Sequence, residues 1–250
     1  MDLDLKNKNV IVTGASRGIG HSIADTFVRE GANCLICART ANALSDAAKE
    51  LGCRSVVADV TDTAGLNGLA KAVRDEFSGV VDILICNVGS GRSVPPGDES
   101  GEEWRRMFEL NLFSAASVIE ELSPFLRKGG SIGCISSIAG RMAIGAPVAY
   151  AAAKSALDNM VANLAFPLGK IGIRIFGVAP GNTNFPGSVW ETLSRDNPEK
   201  VREMLEHDVP LGRFATPEEI AAMVVFLASA RASFVTGSTH VVDGGQARGR

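Results

Sequence analysis

The chain has 250 residues, 46% of them apolar, with 25 basic and 28 acidic side chains and a net charge of −3. That is enough apolar material for one sizeable core, and the well-mixed charge excludes a nucleic-acid surface built on a clustered basic excess. The opening MDLDLKNKNV lacks the apolar stretch of a signal peptide, and no apolar run approaches the ~18 residues of a membrane span, so a cytoplasmic protein is expected.

NVIVT (9–13) predicts a buried strand, and RGIGHSIADTFVREG (17–31) a helix ending at Gly31. NCLICA (33–38) is a second strand, ANALSDAAKELG (41–52) a helix stopped by Gly52, and RSVVAD (54–59) a third strand. A helix over roughly 62–77 leads to the strand VDILICN (81–87). A longer helix is predicted over roughly 101–127, broken by Gly129-Gly130, before the strand SIGCISS (131–137). The next helix carries Tyr150 over 148–166, and Pro167 predicts a kink or an end, since an internal proline costs ~3 kcal/mol. After the strand IRIFGVAPG (173–181) comes a polar segment, 182–215, read as a lid. A last helix starts near Pro217 with Thr216 as its N-cap, and the pattern closes with THVVDGG (239–245). Continuous apolar strands alternating with helices imply a parallel sheet covered on both faces, wound by right-handed crossovers into a doubly wound α/β fold. Ligands in such folds bind outside the carboxyl ends of the strands. No repeat or linker divides the chain, so 1–250 is read as one domain.

Cys34, Cys37, Cys53, Cys86 and Cys134 make an odd count, a poor disulfide framework. Cys34 and Cys37 spell C-x-x-C, but strand residues three apart point to opposite faces and cannot share a metal. The cysteines read as small apolar side chains, and no metal site is expected. More informative is TGASRGIG (13–20), which sets Gly14, Gly18 and Gly20 between a strand and a helix. Glycines there let backbone approach a pyrophosphate at a helix N-terminus, although taken alone they also fit a plain tight turn. Tyr150 is the only tyrosine, and Lys154 lies four residues on, on the same helix face.

TGASRGIG together with YAAAK (150–154) resembles the short-chain dehydrogenase/reductase family, and so do ADVT (58–61), CNVG (86–89), LNL (110–112), SSIAG (136–140), APG (179–181) and VDGG (242–245). The resemblance implies a Rossmann fold with a seven-stranded parallel sheet flanked by helices, a nicotinamide cofactor, reversible hydride transfer to a carbonyl, and a homotetramer. A helix at 148–166 with apolar residues on more than one face fits burial against a second chain. In the resemblance Tyr150 is the acid/base, its pKa pulled down by the Lys154 ammonium, while Lys154 also holds the nicotinamide ribose. Ser137, thirteen residues before Tyr150, orients the substrate oxygen, its neighbour Ser136 facing away. Asn111 holds a water linking Lys154 to solvent, with a local backbone hydrogen bond as the other reading. The cofactor set implied is Gly14, Ser16, Arg17, Gly18, Ile19, Gly20, Arg39, Asp59, Val60, Asn87, Gly89, Tyr150, Lys154, Gly181 and Thr183. NAD-preferring relatives carry an acid where this chain has Ala38. With Arg39 next and Arg17 in the glycine loop, two guanidiniums with no acid nearby point to NADP(H) rather than NAD(H).

The substrate is less legible. PLGRFATPEEIA (210–221) resembles 3-oxoacyl thioester reductases, giving a 3-oxoacyl thioester or a small ketone. Polar residues in the 182–215 segment suggest a sugar derivative instead, and a cofactor-binding regulatory protein is the alternative of another class. Arg92 either binds a substrate anion or is solvated. The chain departs from the family at Val88, at Phe176, and at Phe185, where a threonine is frequent.

Overall fold

The computed structural model describes residues 1–247. The strands are β1 (Asn9–Thr13), β2 (Asn33–Ala38), β3 (Arg54–Val57), β4 (Val81–Cys86), β5 (Leu126–Ile135), β6 (Arg174–Pro180) and β7 (Thr239–Val242). They form one sheet in the order β3-β2-β1-β4-β5-β6-β7, every pair parallel. The chain starts in the middle of the sheet, winds outward to β3, then returns across β1 to build the other half. The order reverses between β1 and β4, and the crevice outside their carboxyl ends is where such folds bind ligands.

Helices cover both faces. On one, α1 (Gly18–Arg29), α2 (Ala41–Leu51) and α9 (Pro217–Ala228) bury Phe27, Leu44 and Val224 against Val10, Ile36 and Phe176. On the other, α3 (Thr63–Phe77), α5 (Ser114–Leu122) and α6 (Val148–Lys170) bury Val73, Val118 and Leu157 against Ile11, Leu84 and Ile132. Cys34 and Cys37 fall in the two different cores, as strand alternation requires. Arg174 closes α9 by donating to the carbonyls of Leu227, Ala228 and Ser229 at 2.9–3.1 Å, satisfying acceptors a helix end leaves free. No helix among the described residues is long and apolar enough to cross a membrane.

The region 101–127 differs from the sequence reading. Helix α4 (Gly101–Phe108) passes into a wide π-type turn at Glu109–Phe113, then α5, then a short 3₁₀ turn at Ser123–Phe125. Pro124, without an N–H, ends α5. β5 begins at Leu126, because Leu126 already pairs with Val81. Gly129 and Gly130 break no helix. They sit in a register shift inside β5, where Gly129 has φ +87° and a Cβ on Gly130 would lie 2.7 Å from the Asp82 carbonyl. Pro167 does not end α6, which continues to Lys170 while Leu164, Ala165 and Leu168 stay packed on the core. The 182–215 segment contains two helices, α7 (Val189–Asp196) and α8 (Pro198–Asp208), and its ends are joined by a parallel bridge between Thr183 and Ala215.

Phe176 is explained by its neighbour. It lies opposite Gly133 on the adjacent strand, where a Cβ would stand 2.8 Å from the Phe176 ring and 2.9 Å from Ile85 Cδ1. The ring fills the space that glycine leaves. Gly133→Ala is therefore expected to destabilise the fold by ~1–3 kcal/mol through overpacking. Urea unfolding checks this: Gly133→Ala with Phe176→Leu should be more stable than the two single losses added together.

Candidate active site

The first βα turn is shaped by backbone that only glycine accepts easily. Gly14 and Gly18 have φ of +64° and +60°. At Gly20, a Cβ would overlap Asn87 Nδ2 and come within 2.6 Å of the Gly14 carbonyl. Asn87, at the end of β4, uses that Nδ2 to donate to the carbonyls of Thr13 and Gly14, both at 3.0 Å, and its own N–H donates to Thr13 Oγ1 at 3.0 Å. Helix α1 begins at this turn with no side chain capping its N-terminus. Its free N–H groups and positive dipole end are suited to a diphosphate. The turn thus fits a dinucleotide.

The remaining sequence-selected cofactor residues follow the carboxyl ends of β1, β2, β3 and β6. Ser16 is half-buried, Arg17 exposed, and Ile19 packed on the core. Arg39 is exposed just beyond β2. Asp59 follows β3, and its Oδ1 accepts from the Thr61 N–H at 3.0 Å and Oγ1 at 2.7 Å. Those bonds hold its carboxyl below the ordinary range, and the Arg39 charge adds to them. The expectation of no acid near Arg39 meets Asp59, whose carboxyl feels the Arg39 charge while its Oδ1 is bonded to Thr61. Val60 is 2% exposed, so its side chain belongs to the core and only its main chain could serve a ligand. Thr183 is buried, and its Oγ1 donates to the carbonyl of Gly181 at 3.1 Å.

Beside the turn lies the cluster around Tyr150 and Lys154. Both sit in the first two turns of α6, which starts where the loop after β5 lies down on it. Gly140 makes that contact possible, since a Cβ there would stand 2.6 Å from the Lys154 carbonyl carbon. Lys154 is 3% exposed, and its Nζ donates to the Ile135 carbonyl at 2.8 Å. Burial lowers its pKa to about 8, against the opposing pull of Cys134 and Asp158. The same Nζ lies 5.9 Å from the Tyr150 ring centroid. Ser137 hydrogen-bonds Tyr150, while Ser136 is buried facing the other way, its Oγ donating to the Lys154 carbonyl at 3.4 Å. Strand alternation thus puts Ser137 at the tyrosine. The Tyr150 pKa differs from expectation: burial pushes it up, and the Ser137 hydrogen bond only partly opposes this.

Asn111 sits in the π-type turn, a feature common at functional sites. Its Nδ2 donates to the carbonyls of Met107 and Ser90, both at 3.1 Å, and its Oδ1 accepts from the Ser90 N–H at 2.9 Å. The local backbone bond is therefore present, together with a clamp on the loop after β4. Gly89 completes the corner: a Cβ there would lie 2.8 Å from Asn111 Oδ1 and 2.9 Å from Lys154 Nζ.

Arg92 is exposed, as its solvated reading expects, and its Nη2 also donates to the Gly187 carbonyl at 2.9 Å, tying the loop after β4 to the 182–215 segment. Phe185, in that segment, lies against Gly18, where a Cβ would overlap its ring. The sequence also gave no role to Thr13, whose buried hydroxyl holds Asn87, although a polar residue closing an apolar strand was a visible signal. Among the described residues, no three His, Cys, Asp or Glu side chains are placed to hold a metal.

A doubly wound parallel sheet, a glycine turn at its switch point and a Ser-Tyr-Lys cluster beside that turn are what a dinucleotide-dependent oxidoreductase presents. The chain belongs to the short-chain dehydrogenase/reductase family, whose members described as enoyl-(acyl carrier protein) reductase match residues 14–247. It is 33% identical to galactitol 2-dehydrogenase of Agrobacterium fabrum, over 96% of this chain and 98% of that one. It is 35% identical to a rhamnolipids biosynthesis 3-oxoacyl-[acyl-carrier-protein] reductase of Pseudomonas aeruginosa, over 96% of each. The L-sorbose reductase of Gluconobacter frateurii, solved with NADPH and L-sorbose, superposes with a TM-score of 0.93 at 32% identity over 100% of both chains. The protein is an oxidoreductase acting on CH–OH or carbonyl groups.

The buried ammonium has a cost that pH reveals. Between about 8 and 10.5 the unfolded chain keeps the Lys154 proton and the folded chain releases it, so this group makes stability rise with pH across that window. Lys154→Met should be inactive yet more stable near neutral pH, by up to ~3 kcal/mol. Urea unfolding of both proteins at the two ends of the window checks it, the difference shrinking as pH rises.

Proposed function

We propose that the protein is an NADP(H)-dependent oxidoreductase that interconverts a carbonyl and a secondary alcohol through Ser137, Tyr150 and Lys154. The observation that carries this reading is Tyr150 flanked by a hydrogen-bonding serine and a buried ammonium. The nicotinamide, when bound, supplies or accepts the hydride. Burial keeps the Tyr150 phenol protonated at neutral pH, the state that can donate to a carbonyl oxygen as charge develops on it. Ser137 holds that oxygen beside the phenol. Lys154, lowered only to about 8, remains largely cationic near pH 7 and stabilises the phenolate left behind. Asn111, beside the lysine at Gly89, orders the path by which the proton is restored from solvent. Gly14, Ser16, Gly18, Ile19 and Gly20 would hold the cofactor's diphosphate, Asp59 and the Val60 main chain its adenine, and Asn87, Gly89, Gly181 and Thr183 its nicotinamide end. Arg39 and Arg17 would take the 2′-phosphate, a reading supported by likeness to a reductase solved with NADPH.

The 182–215 segment is the lid of this site, and Asn182, Asn184 and Ser188 in it are engaged within the segment. Ser188 Oγ donates to Asn184 Oδ1 at 2.9 Å, Asn182 Nδ2 meets Met204 Sδ at 3.2 Å, and Trp190 packs on Phe214 with ring centroids 5.3 Å apart. Such a lid favours a 3-oxoacyl thioester or a small ketone. A sugar derivative is the second reading, favoured by likeness to galactitol 2-dehydrogenase and L-sorbose reductase. We place the protein in the cytoplasm as a homotetramer. In one chain, Phe113 and Phe166 remain 47% and 75% exposed and Phe234 fully so. Trp104, Phe108 and Phe113 form a ring cluster on one patch, while Phe166 stands late in α6 near the loop whose Gly237 presses on Ala165.

NADPH oxidation is expected with 3-oxoacyl thioesters or small ketones above ketoses, and the opposite order favours the sugar reading. Tyr150→Phe should lose roughly 10²–10⁴-fold in kcat, Ser137→Ala should be severe and Ser136→Ala mild. Near-normal turnover of the phenylalanine variant, or the reverse serine ranking, overturns the assignment. Wild-type kcat/KM should favour NADPH, and Arg39→Ala should reduce that preference by roughly 10- to 150-fold, the worth of one charge-assisted bond. A wild-type preference for NADH contradicts it. Light scattering at micromolar concentration should give a tetramer, and a monomer rejects the apolar patches as interfaces.

A further inference from the structure

We propose that Cys34 and Cys53 are a redox-active dithiol, which a hydroperoxide converts to an intramolecular disulfide joining β2 to the start of β3. The grounds are positional. Leu35 lies opposite Arg54 in the parallel β2–β3 pair, so the residues just before them, Cys34 and Cys53, are cross-strand neighbours. Adjacent strands run ~4.8 Å apart, inside the ~4.4–6.8 Å Cα separation a disulfide spans. Both side chains are on the same face of the sheet: Cys34 lies in the core with Ile36 and Leu44, and Cys53 packs on that cluster from its margin. The two thiols hydrogen-bond each other, and both are free.

Access separates the two sulfurs. A surface pocket of about 410 Å³, walled by Val28, Gly52 and Arg54, reaches both cysteines. Cys34 is 2% exposed, whereas Cys53 is only half-buried. Cys53 is thus the sulfur that meets an oxidant, and Cys34 the one waiting behind it. The hydrogen bond supports this order: it holds the Cys53 thiol below its ordinary value, while the same bond and burial hold Cys34 well above it. The Cys53 thiolate attacks a hydroperoxide oxygen and becomes a sulfenic acid, releasing an alcohol, or water from hydrogen peroxide, after taking up one proton. The Cys34 sulfur then attacks Cys53 Sγ, forming the S–S bond and expelling water. Two thiols are oxidised, one peroxide is reduced, and an added dithiol reverses the change. Cys86 and Cys134 form an internal comparison: they face each other across β4 and β5, but at 3% and 0% exposure no oxidant reaches them.

The test treats the full chain with hydrogen peroxide, alkylates the remaining thiols and maps peptides by mass. Two of the five thiols should disappear, with Cys34 and Cys53 peptides linked, and dithiothreitol should restore both. Cys53→Ser should leave every other thiol unreacted. Cys34→Ser should stop at a sulfenic acid on Cys53 that dimedone traps. Cys34 is a core position, so the Cys53→Ser result stands independently if that variant fails to fold. All five thiols surviving, a Cys86–Cys134 linkage, Cys53 oxidised to sulfinic acid beside an intact Cys34, or a linkage between chains each overturns the proposal.

Discussion

One buried charge organises this site. The Lys154 ammonium sits out of water with the Ile135 carbonyl at 2.8 Å as its hydrogen-bond acceptor. An ionised group in such a place costs several kcal/mol before compensation. Three separated stretches of sequence are shaped around it. Gly89 has no Cβ because Asn111 Oδ1 and Lys154 Nζ occupy the space one would need. Gly140 lets the loop after β5 lie on the lysine's main chain, and Ser136 is hydrogen-bonded to the lysine's carbonyl. That fastening turns Ser137 the other way, onto Tyr150. Motifs that look independent in the sequence are one constraint in space.

The glycine turn is a second convergence, coupled to the first through Asn87 and Gly89 in the loop after β4. Asn87 pins the turn from the sheet side through Thr13 and Gly14. Phe185 covers it at Gly18, and Arg17 approaches Gly187. Arg92 holds the Gly187 carbonyl from the loop after β4. The segment between Thr183 and Ala215 is therefore joined at its base by their bridge and strapped near its start to both loops at the switch point. Phe185, where the family resemblance leads one to expect a threonine, puts a ring on the turn.

The alternation of strands and helices was legible because buried parallel strands read as continuous apolar runs. That only one of Ser136 and Ser137 can face the tyrosine was legible from two-residue alternation, and the thirteen-residue spacing to Tyr150 in the family resemblance selected Ser137. The stretch 101–127 was not, since Leu126 and the residues before it carry no period that separates a helix end from a strand start. Gly129-Gly130 looked like a breaker because a register shift inside a strand needs the neighbouring strand to be seen. The Tyr150 pKa went the other way because desolvation depends on what covers the ring, and no local pattern states that. Arg92 and Gly187 are 95 residues apart, so the strap between them leaves no trace in either segment. The same holds for Asp59, whose nearness to Arg39 is a product of strand order.

The most direct measurement is the titration of Lys154 itself, followed by the ¹³Cε resonance of labelled lysine and assigned by its loss in Lys154→Met. The account predicts a midpoint of about 8, well apart from the exposed lysines. A midpoint near the ordinary 10.5 would mean the ammonium is solvated, and the site would then lack the buried charge on which Ser137, Tyr150 and Asn111 are arranged.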